Sequence, residues 1–200
     1  MKLNLAETLL MNNPVRALVQ RWYEGPLLET LGGRLDGLHV LEIGCGRGNG
    51  TKILLDRFRA RAVCAVDLDP QQILRARRLL GERLNDAVFL AVAGAEELPF
   101  PDESFDAVFD FGMLHHVPSW QSAVAEIRRV LKPSGRLFFE EVTRDALNSW
   151  LYRTFLEHPT ENRFSEAEFL AELGAHGIQV GRTPRRVLRE HIFIGVGKVV

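Results

Sequence analysis

The residues best suited to chemistry form a glycine-rich loop. Glu42 is followed by glycines at alternate positions, Gly44, Gly46 and Gly48. Such glycines remove side chains, so the backbone can turn through positive φ and a ligand can contact it directly. The loop leads into a predicted helix, whose free N–H groups favour a negative group. Asp67 ends the next predicted strand, where a carboxylate can accept hydrogen bonds from a ribose diol. These features favour an adenosine-type ligand.

Three other interpretations of the loop fit less well. A dinucleotide-binding fingerprint requires Gly-x-Gly-x-x-Gly, but Asn49 or Thr51 takes the place of the third glycine, depending on where the count begins. A P-loop closes with Gly-Lys-Ser/Thr, whereas this loop has the order Gly50-Thr51-Lys52. A purely structural turn requires neither three spaced glycines nor a preceding glutamate. A nicotinamide site and a structural turn remain as alternatives.

Short apolar runs alternate with helices along the chain. They predict seven strands, at residues 39–43, 61–66, 88–92, 105–111, 136–142, 177–182 and 190–199. Apolar spacing and a capping box predict helices at residues 51–58, 71–84, 117–131 and 165–173, and two or three short helices in the region 3–31, divided at Pro14 and at Gly25-Pro26. Apolar strands that alternate with helices indicate an α/β fold, with a mostly parallel sheet covered by helices on both faces.

The last two predicted strands differ from the others in their connection. A loop of about seven residues, 183–189, separates them, whereas a parallel crossover needs about a dozen residues or more. We therefore expect an antiparallel hairpin at the C-terminal end of an otherwise parallel, open sheet. Ligands of such sheets bind beyond the carboxyl ends of the strands, where the strand order reverses.

Composition places the chain among ordinary globular proteins. Its 200 residues fit one domain, and the formal charge of −1 argues against a broad basic surface for nucleic acid or anionic membrane. Two cysteines, Cys45 and Cys64, cannot build a disulfide framework, and without a CxxC pair we predict no metal site. No signal peptide or run of 18 apolar residues is found, so we expect no membrane span and a cytoplasmic location.

The glycine loop resembles the first motif of the class I S-adenosylmethionine-dependent methyltransferases. The resemblance continues in order through residues 65–70, 96–106, 114–117 and 130–137, and covers about residues 38–142. These runs are similar to the subgroup typified by ubiquinone and menaquinone biosynthesis methyltransferases (methyltransferase domain 11). The resemblance implies a Rossmann-like, seven-stranded sheet in a single domain, with a helical cap at 1–37, a cofactor-binding core at 38–142, and a variable segment with the terminal hairpin at 143–200.

The resemblance also implies roles for residues along one cleft. Glu42 would receive the cofactor's ammonium group, and the loop that contains Cys45 would approach its methionine part through Gly44, Gly46 and Gly48. Asp67 would bind both ribose hydroxyls, and Leu68 would cover one face of adenine. The family usually has an Asp-Ala pair at the adenine edge. Here the pair is Gly94-Ala95, so the backbone N–H of Ala95 remains while Glu96 or water would replace the missing carboxylate.

The methyl group would lie beside Asp110 and Phe111, at the end of the fourth strand. The sequence there is Asp110-Phe111-Gly112-Met113, without the Asn-Pro-Pro-Tyr pattern of enzymes that methylate exocyclic base amines. No Pro-Cys pair is present for attack on a pyrimidine ring, and two cysteines do not suit arsenite methylation. The resemblance therefore implies a small-molecule acceptor and no nucleic acid.

A general base is needed only if the acceptor is a phenol or a protonated amine, because the cofactor already carries an activated methyl group. His115 and His116 are the candidates, and at most one should face the pocket, since neighbouring residues at a helix start point about 100° apart. Further polar candidates are Glu140, Glu141 and His158.

The acceptor pocket should come from residues 1–31 and 143–164, which lie outside the shared core. An apolar or aromatic acceptor would suit the aromatic residues there. Trp22 and Tyr23 could close over the cofactor, and aromatic surface could come from Trp150, Tyr152, Phe155 and Phe164. Core packing is the alternative interpretation of Trp22 and of the latter four residues. We interpret the basic cluster Arg182, Arg185, Arg186 and Arg189 as a solvated loop. The alternative function is a noncatalytic regulator that binds S-adenosylmethionine or S-adenosylhomocysteine, which Gly94 favours.

Overall fold

A computed structural model describes residues 13–84, 86–147, 162–181, 184–187 and 191–200. Within them, eight strands form one sheet. The strands are β1 (His39–Ile43), β2 (Ala62–Asp67), β3 (Val88–Val92), β4 (Phe105–Phe111), β5 (Leu131–Val142), β6 (Ile178–Val180), β7 (Arg185–Val187) and β8 (Ile192–Val199). Their order is β3-β2-β1-β4-β5-β8-β6, with β7 also paired to β8. The predicted α/β architecture is confirmed.

The first five strands are parallel to one another, and the reversal comes at β8. β8 lies between β5 and the pair β6 and β7, antiparallel to all three. The expected antiparallel hairpin is therefore present, but the region predicted as its loop contains the short strand β7. Pro184 precedes β7 and has no N–H for a ladder hydrogen bond, so one edge is divided into two short strands that pair with successive parts of β8.

Helices cover both faces of the sheet. They are α1 (Pro14–Val19), α2 (Gly25–Gly32), α3 (Asn49–Asp56), α4 (Pro70–Leu80), α5 (Trp120–Val130), α6 (Arg144–Leu147) and α7 (Glu166–Ala175). Local caps explain where several begin. Asn13 accepts hydrogen bonds from the backbone of Val15 and Arg16, and Asp69 accepts one from Gln71. The predicted capping box of Ser165 and Glu168 opens α7.

The N-terminal helices are continuous rather than separated at Gly25-Pro26. A single π-helical turn, Gln20–Glu24, joins α1 to α2, and Gly25 keeps right-handed helical backbone angles of −57° and −51°. A proline inside a helix clashes with the carbonyl four residues before it. The wider π turn lies just ahead of Pro26 and relieves this clash, so the chain changes its helix type without ending the helix.

Each face of the sheet has its own apolar core. On one face Phe109 and Phe138 stack with ring centroids 4.2 Å apart, and Phe58 meets Phe109 edge-on at 4.9 Å. On the other face Phe139 meets Phe169 at 5.3 Å. Because β1, β4 and β5 are buried on both faces, the middle of the sheet is a rigid base whose carboxyl ends support the cleft described below.

Candidate active site

A cleft lies beyond the carboxyl ends of β1, β2 and β4. The chain leaves β1 toward β2 and β3 on one side, and returns to β4 on the other, so this is the point at which the strand order reverses. The cleft is lined by the glycine loop and the ends of these strands, together with part of the N-terminal helix, namely residues 42–47, 49, 50, 66–69, 93–96, 111–113, 116 and 117, with Arg16, Gln20 and Gln72. Eleven of the fourteen residues predicted for the site are among them.

The glycine loop is held against the neighbouring strand. The Cys45 backbone N–H donates to the carbonyl oxygen of Val66 at 2.9 Å. Gly44 has φ of +67°, and a Cβ atom there would lie 2.3 Å from Cγ of Met113. Gly46 also has positive φ, and nothing lies within 4 Å of a Cβ atom placed on it. The loop therefore offers bare backbone to the cleft at Gly46, whereas the lack of a side chain at Gly44 allows the turn after β4, which contains Met113, to approach.

Gly48 was predicted to approach the cofactor together with Gly44 and Gly46, whereas Gly50 was assigned no role. Gly48 does not line the cleft, because a Cβ atom there would face α4, 3.2 Å from Leu80 and 3.3 Å from Ala76. Its role is to let helices pack closely. Gly50 was missed, yet a Cβ atom at Gly50 would lie 2.0 Å from Oε1 of Glu42. The alternation of glycines continues to position 50, and this signal could have identified it.

Glu42 is a buried carboxyl group on the wall of the cleft. The hydroxyl of Thr51 donates a short hydrogen bond to Oε2 of Glu42, and both side chains are almost fully buried. Burial, opposed by the Thr51 hydrogen bond and assisted by the charge of Asp67, raises the pKa of Glu42 to about 8. At neutral pH this carboxyl is therefore mostly protonated, and a cation bound beside it would cause it to ionise.

Asp67, at the end of β2, is hydrogen-bonded to the glycine loop and to the turn that follows β2. Its Oδ2 accepts a hydrogen bond from the Gly46 N–H at 2.9 Å, and its Oδ1 accepts one from the Asp69 N–H at 2.9 Å. Burial raises the pKa of Asp67, and these two hydrogen bonds oppose the shift. Each carboxylate oxygen can accept a further hydrogen bond. Asp67 can therefore bind two neighbouring hydroxyl groups.

Leu68 and the segment 93–96 form the outer end of the cleft. Leu68 is half-exposed, and a Cβ atom on Gly94 would make only an ordinary contact with it, at 3.8 Å. Ala95 is buried and Glu96 is exposed. The structure therefore has room for a side chain at position 94, and the glycine there is not required by packing.

Asp110 does not line the cleft, although its neighbour Phe111 does. Successive strand residues point to opposite faces, and the Asp110 side chain is fully buried, with Oδ1 accepting the Met113 N–H at 2.8 Å. Burial and the nearby charge of Glu141 hold the pKa of Asp110 well above its ordinary value. Its role is to fix the turn after β4.

Of the two adjacent histidines, His116 lines the cleft and His115 does not. The His115 ring is turned inward, where its Nδ1 lies 2.6 Å from Oε2 of Glu141. Glu141 also accepts the backbone N–H of Leu114 at 2.7 Å, and burial raises its pKa to about 7. The two imidazole rings lie 4.2 Å apart. The expectation that at most one histidine faces the pocket agrees with this geometry.

The N-terminal helix contributes Arg16 and Gln20 to the cleft. Both lie in the segment 1–31, which was predicted to contribute to the acceptor pocket, but neither residue was named. Closure of Trp22 and Tyr23 over the cofactor was one interpretation and core packing of Trp22 was the other, but the two side chains are 67% and 49% exposed and do not line the cleft. Arg16, Gln20 and Glu24 are spaced four residues apart, so they share one face of the helix. A row of polar residues at this spacing, in a region otherwise rich in apolar residues, is the sequence pattern that could have identified this face of the helix as part of the cleft.

Several other predicted residues lie away from the cleft. Phe164 is buried in the aromatic core, 4.8 Å from the ring of Trp120, and does not form acceptor surface. Arg186 lies on β7 and pairs with Glu166 at 2.9 Å. Some predicted positions lie outside the described residues: Trp150, Tyr152, Phe155, His158, Arg182 and Arg189.

No group of three or more His, Cys, Asp or Glu side chains in the described part of the chain could hold a metal ion. No helix among the described residues is long and apolar enough to cross a membrane. Cys45 is buried and Cys64 is half-buried, and both are free thiols.

Comparison with known sequences gives matches along the chain. Residues 41–139, about half of the chain, match a family model described as a methyltransferase domain. A fatty-acid O-methyltransferase of Mycolicibacterium smegmatis is 37% identical over 108 residues, which cover 54% of this chain and 38% of that protein. A malonyl-[acyl-carrier protein] O-methyltransferase of Halorhodospira halophila is 31% identical over 194 residues, which cover 90% of this chain and 65% of that protein. The chain thus spans less than two thirds of the length of either relative.

Comparison with solved structures supports the fold over the full length. The crystal structure of an S-adenosylmethionine-dependent methyltransferase from Aquifex aeolicus superposes with a TM-score of 0.78 at 21% identity, and covers 100% of both chains. At this level of identity the likeness shows the fold alone.

Proposed function

Because the chain belongs to the methyltransferase domain family, within the class I S-adenosylmethionine-dependent methyltransferases, we propose that it transfers a methyl group to an oxygen, nitrogen or carbon atom of a small molecule. The observation that carries this proposal is the meeting of Glu42, Asp67 and the bare backbone of Gly46 in one cleft. These groups come from two neighbouring strands and match the polar groups of the family's cofactor.

The described residues fit that cofactor, S-adenosylmethionine. Glu42 is a buried carboxyl group. A bound ammonium group would cause it to lose its proton, and the resulting negative charge would pair with the ammonium. Asp67 has one free acceptor position on each oxygen for the two ribose hydroxyls, and Leu68 offers an apolar surface for one face of adenine. The space in front of Gly46 allows the methionine part to approach the backbone.

When bound, the cofactor supplies a methyl group already activated by the sulfonium. The work left to the protein is orientation and exclusion of water, and proximity alone can contribute about 7–11 kcal/mol to lowering the barrier. Phe111, Met113 and Val117 give this part of the cleft apolar walls. They also support our proposal that the acceptor carries an apolar or aromatic group.

His116 is the residue that we assign to proton removal, where the acceptor loses a proton on methylation. It lines the cleft and is mostly buried, and imidazole is the side chain that exchanges a proton near neutral pH. His115 is a positioning residue, because its bond to Glu141 fixes the short helical turn that carries both histidines. For location we propose the cytoplasm, where Cys45 and Cys64 would remain reduced.

Isothermal titration with S-adenosylmethionine, S-adenosylhomocysteine and NAD tests the proposal. We expect both adenosyl ligands to bind and NAD not to bind. Asp67→Ala should weaken binding about tenfold or more, because a hydrogen bond to a charged group contributes about 1.5–3 kcal/mol. Asp36→Ala is the matched control, since Asp36 is exposed and distant from the cleft. Absence of binding by either adenosyl ligand would refute the cofactor assignment.

Turnover separates the enzyme from a noncatalytic binder. Formation of S-adenosylhomocysteine should be followed with a panel of phenols, amines and alcohols, with and without the His116→Gln substitution. Methyl transfer that falls in this variant while cofactor affinity is retained would support the assigned roles. Tight cofactor binding without transfer to any acceptor would favour a regulator, as the glycine at position 94 suggests.

A further inference from the structure

The outer face of the N-terminal helix is apolar, although it faces solvent. Four large side chains on α1 and the π-helical turn are spaced three or four residues apart and share this face, namely Val15, Leu18, Val19 and Trp22. Their exposed fractions run from 39% at Val19 to 67% at Trp22. A surface helix normally turns its apolar side inward, whereas here the inward side is the polar row that begins at Arg16. We call the four residues the apolar ridge.

A groove runs beside the ridge, between the N-terminal helix and α3. Leu18 and Trp22 of the ridge line it, and Leu79 of α4 adds an apolar side chain. Its charged lining consists of five cations and two carboxylates, namely Arg21, Arg34, Lys52, Arg57 and Arg59 with Glu29 and Asp56. Cations therefore outnumber carboxylates here, although the whole chain has a formal charge of −1. We call this cavity the basic groove.

Part of the positive charge in the basic groove is not neutralised by the protein. Arg34 and Arg57 both pair with the single carboxylate of Glu29, at 2.8 and 2.6 Å. Among the described residues, Arg21 and Lys52 have no carboxylate within salt-bridge distance. The Arg21 guanidinium instead lies 5.5 Å from the ring centroid of the ridge's tryptophan. Apolar surface and cations thus lie side by side at the same exposed face.

We propose that the apolar ridge and the basic groove together dock the protein on an anionic lipid membrane. Ridge side chains would enter the boundary between head groups and acyl chains, and Arg21 and Lys52 would meet the negative head groups. Trp22 and Tyr23 are both exposed, and indole and phenol rings are enriched at the head-group level of membranes. An exposed apolar patch of this kind marks an interaction site rather than ordinary surface.

A lipid surface fits this face better than another protein molecule does. The ridge is the convex outer side of a helix, so its side chains can insert into fluid lipid, whereas a protein partner would need a matching groove. A second copy of the chain would pair the same patch with itself across a two-fold axis. That arrangement would bring two basic grooves together, and like charges facing each other are disfavoured. Negative lipid head groups instead complement the groove.

The docking face is connected to the cleft through two elements. Arg16 and Gln20, on the inward side of the same helix, line the cleft, and Asn49 at the start of α3 lines both the cleft and the basic groove. A helix that lies on lipid would therefore hold one wall of the cleft beside the membrane. An apolar acceptor dissolved in the membrane would then lie close to the cleft, a consequence that rests on the proposed function.

Vesicle sedimentation of the full chain, without cofactor, tests the docking. Vesicles of phosphatidylcholine alone should be compared with vesicles that also contain about 30% phosphatidylglycerol. We expect the chain to bind the anionic vesicles about tenfold or more tightly, and this binding to weaken as salt screens the head groups. Equal binding to both kinds of vesicle, or binding to neither, would overturn the inference.

Variants locate the binding in the ridge and the groove. Trp22→Ser should weaken binding to anionic vesicles about tenfold or more, and Lys52→Gln about threefold or more. Phe89→Ser and Lys198→Gln are the matched controls, because both side chains are exposed outside the ridge and the groove, and they should stay within about twofold of the unmodified chain. Leu18→Ser provides a second ridge variant if Trp22→Ser does not fold. Unchanged binding by a folded ridge variant would refute the inference.

Other occupants of the ridge would give different results. A dimer in sedimentation equilibrium that Trp22→Ser dissociates would assign the ridge to a second copy of the chain. Binding to soluble poly-glutamate as tight as to anionic vesicles would assign the face to an acidic protein. Either result overturns the membrane proposal. The proposed function is tested separately, because titration with S-adenosylhomocysteine involves no lipid and vesicle binding involves no cofactor.

Discussion

Nδ1 of His115 lies 2.6 Å from Oε2 of Glu141, and both side chains are buried between the end of β5 and the turn after β4. Glu141 also accepts hydrogen bonds from the backbone N–H groups of Leu114 and His115. A single carboxylate on one strand thus fixes the turn that carries His116 into the cleft.

Replacing Glu141 with glutamine should destabilise the protein by about 1–3 kcal/mol, because the amide nitrogen cannot accept the donors that the carboxylate satisfies. The chain offers a matched control in Glu172, which pairs with His176 at 3.2 Å on the surface. Glu172→Gln should change stability by less than about 0.5 kcal/mol. Urea-induced unfolding of both variants measures the difference. Equal effects would show that the buried pair has no structural role.

Cofactor binding should release a proton from Glu42. Burial raises the pKa of this carboxyl to about 8, so it is mostly protonated at pH 7, and an ammonium group bound beside it favours the ionised form. Affinity for S-adenosylmethionine should therefore increase as the pH rises from about 6 toward 8.

Calorimetry at pH 7 in buffers with different ionisation enthalpies measures this release. We expect about one proton to be released per cofactor bound by the unmodified chain. Glu42→Gln should remove the release and weaken binding about tenfold or more. Proton uptake on binding, or a release that persists in Glu42→Gln, would exclude Glu42 as the partner of the ammonium group.

Most of the cleft residues in and around the glycine loop could be predicted from the sequence, because the sequence patterns that identify them are local. The glycine alternation, Glu42 before it and Asp67 at the end of an apolar run lie within short segments of the chain, and their residue types are tied to their positions. β3 and β4 have the predicted bounds, since short apolar runs flanked by polar turns specify where strands begin and end.

The contribution of the N-terminal helix to the cleft could not be predicted because it depends on packing between distant segments. Arg16 reaches Glu140 across 124 positions of sequence, and no local pattern specifies that contact. The inward directions of Asp110 and His115 depend on how the strand end and the next turn are oriented, and a one-residue difference reverses them. The short strand β7 forms because β8 offers an edge, which is also a long-range property.

We expect Gly50→Ala to weaken ligand binding and to destabilise the protein, although alanine has a higher helix propensity than glycine. Its Cβ atom would lie 2.0 Å from Oε1 of Glu42 and 2.9 Å from the ring of Phe111, so Glu42 must leave its position beside Thr51. We expect binding of S-adenosylhomocysteine to fall about tenfold or more, and stability to fall by about 1–3 kcal/mol.

Gly174→Ala is the control for this substitution. Gly174 lies in α7, and nothing lies within 4 Å of a Cβ atom placed there. Replacing a helical glycine with alanine at such a site should stabilise the protein by about 0.5–1 kcal/mol and leave ligand binding unchanged. Thermal unfolding and calorimetry on the two variants should give opposite signs for stability. Normal binding by Gly50→Ala would show that Glu42 can function from another position.

Gly94→Asp should strengthen cofactor binding. The family resemblance places an aspartate at this position, next to the adenine edge, and the structure leaves room for a side chain because the nearest atom to a Cβ would be Cδ1 of Leu68 at 3.8 Å. A new carboxylate could accept a hydrogen bond from the adenine amino group, which adds about 0.5–1.5 kcal/mol, or up to about tenfold in affinity. Titration with S-adenosylhomocysteine should be compared with Gly94→Asn, which has the same shape without the charge. If both variants weaken binding, the adenine edge does not lie against position 94, and the outer end of the cleft must hold the base in another orientation.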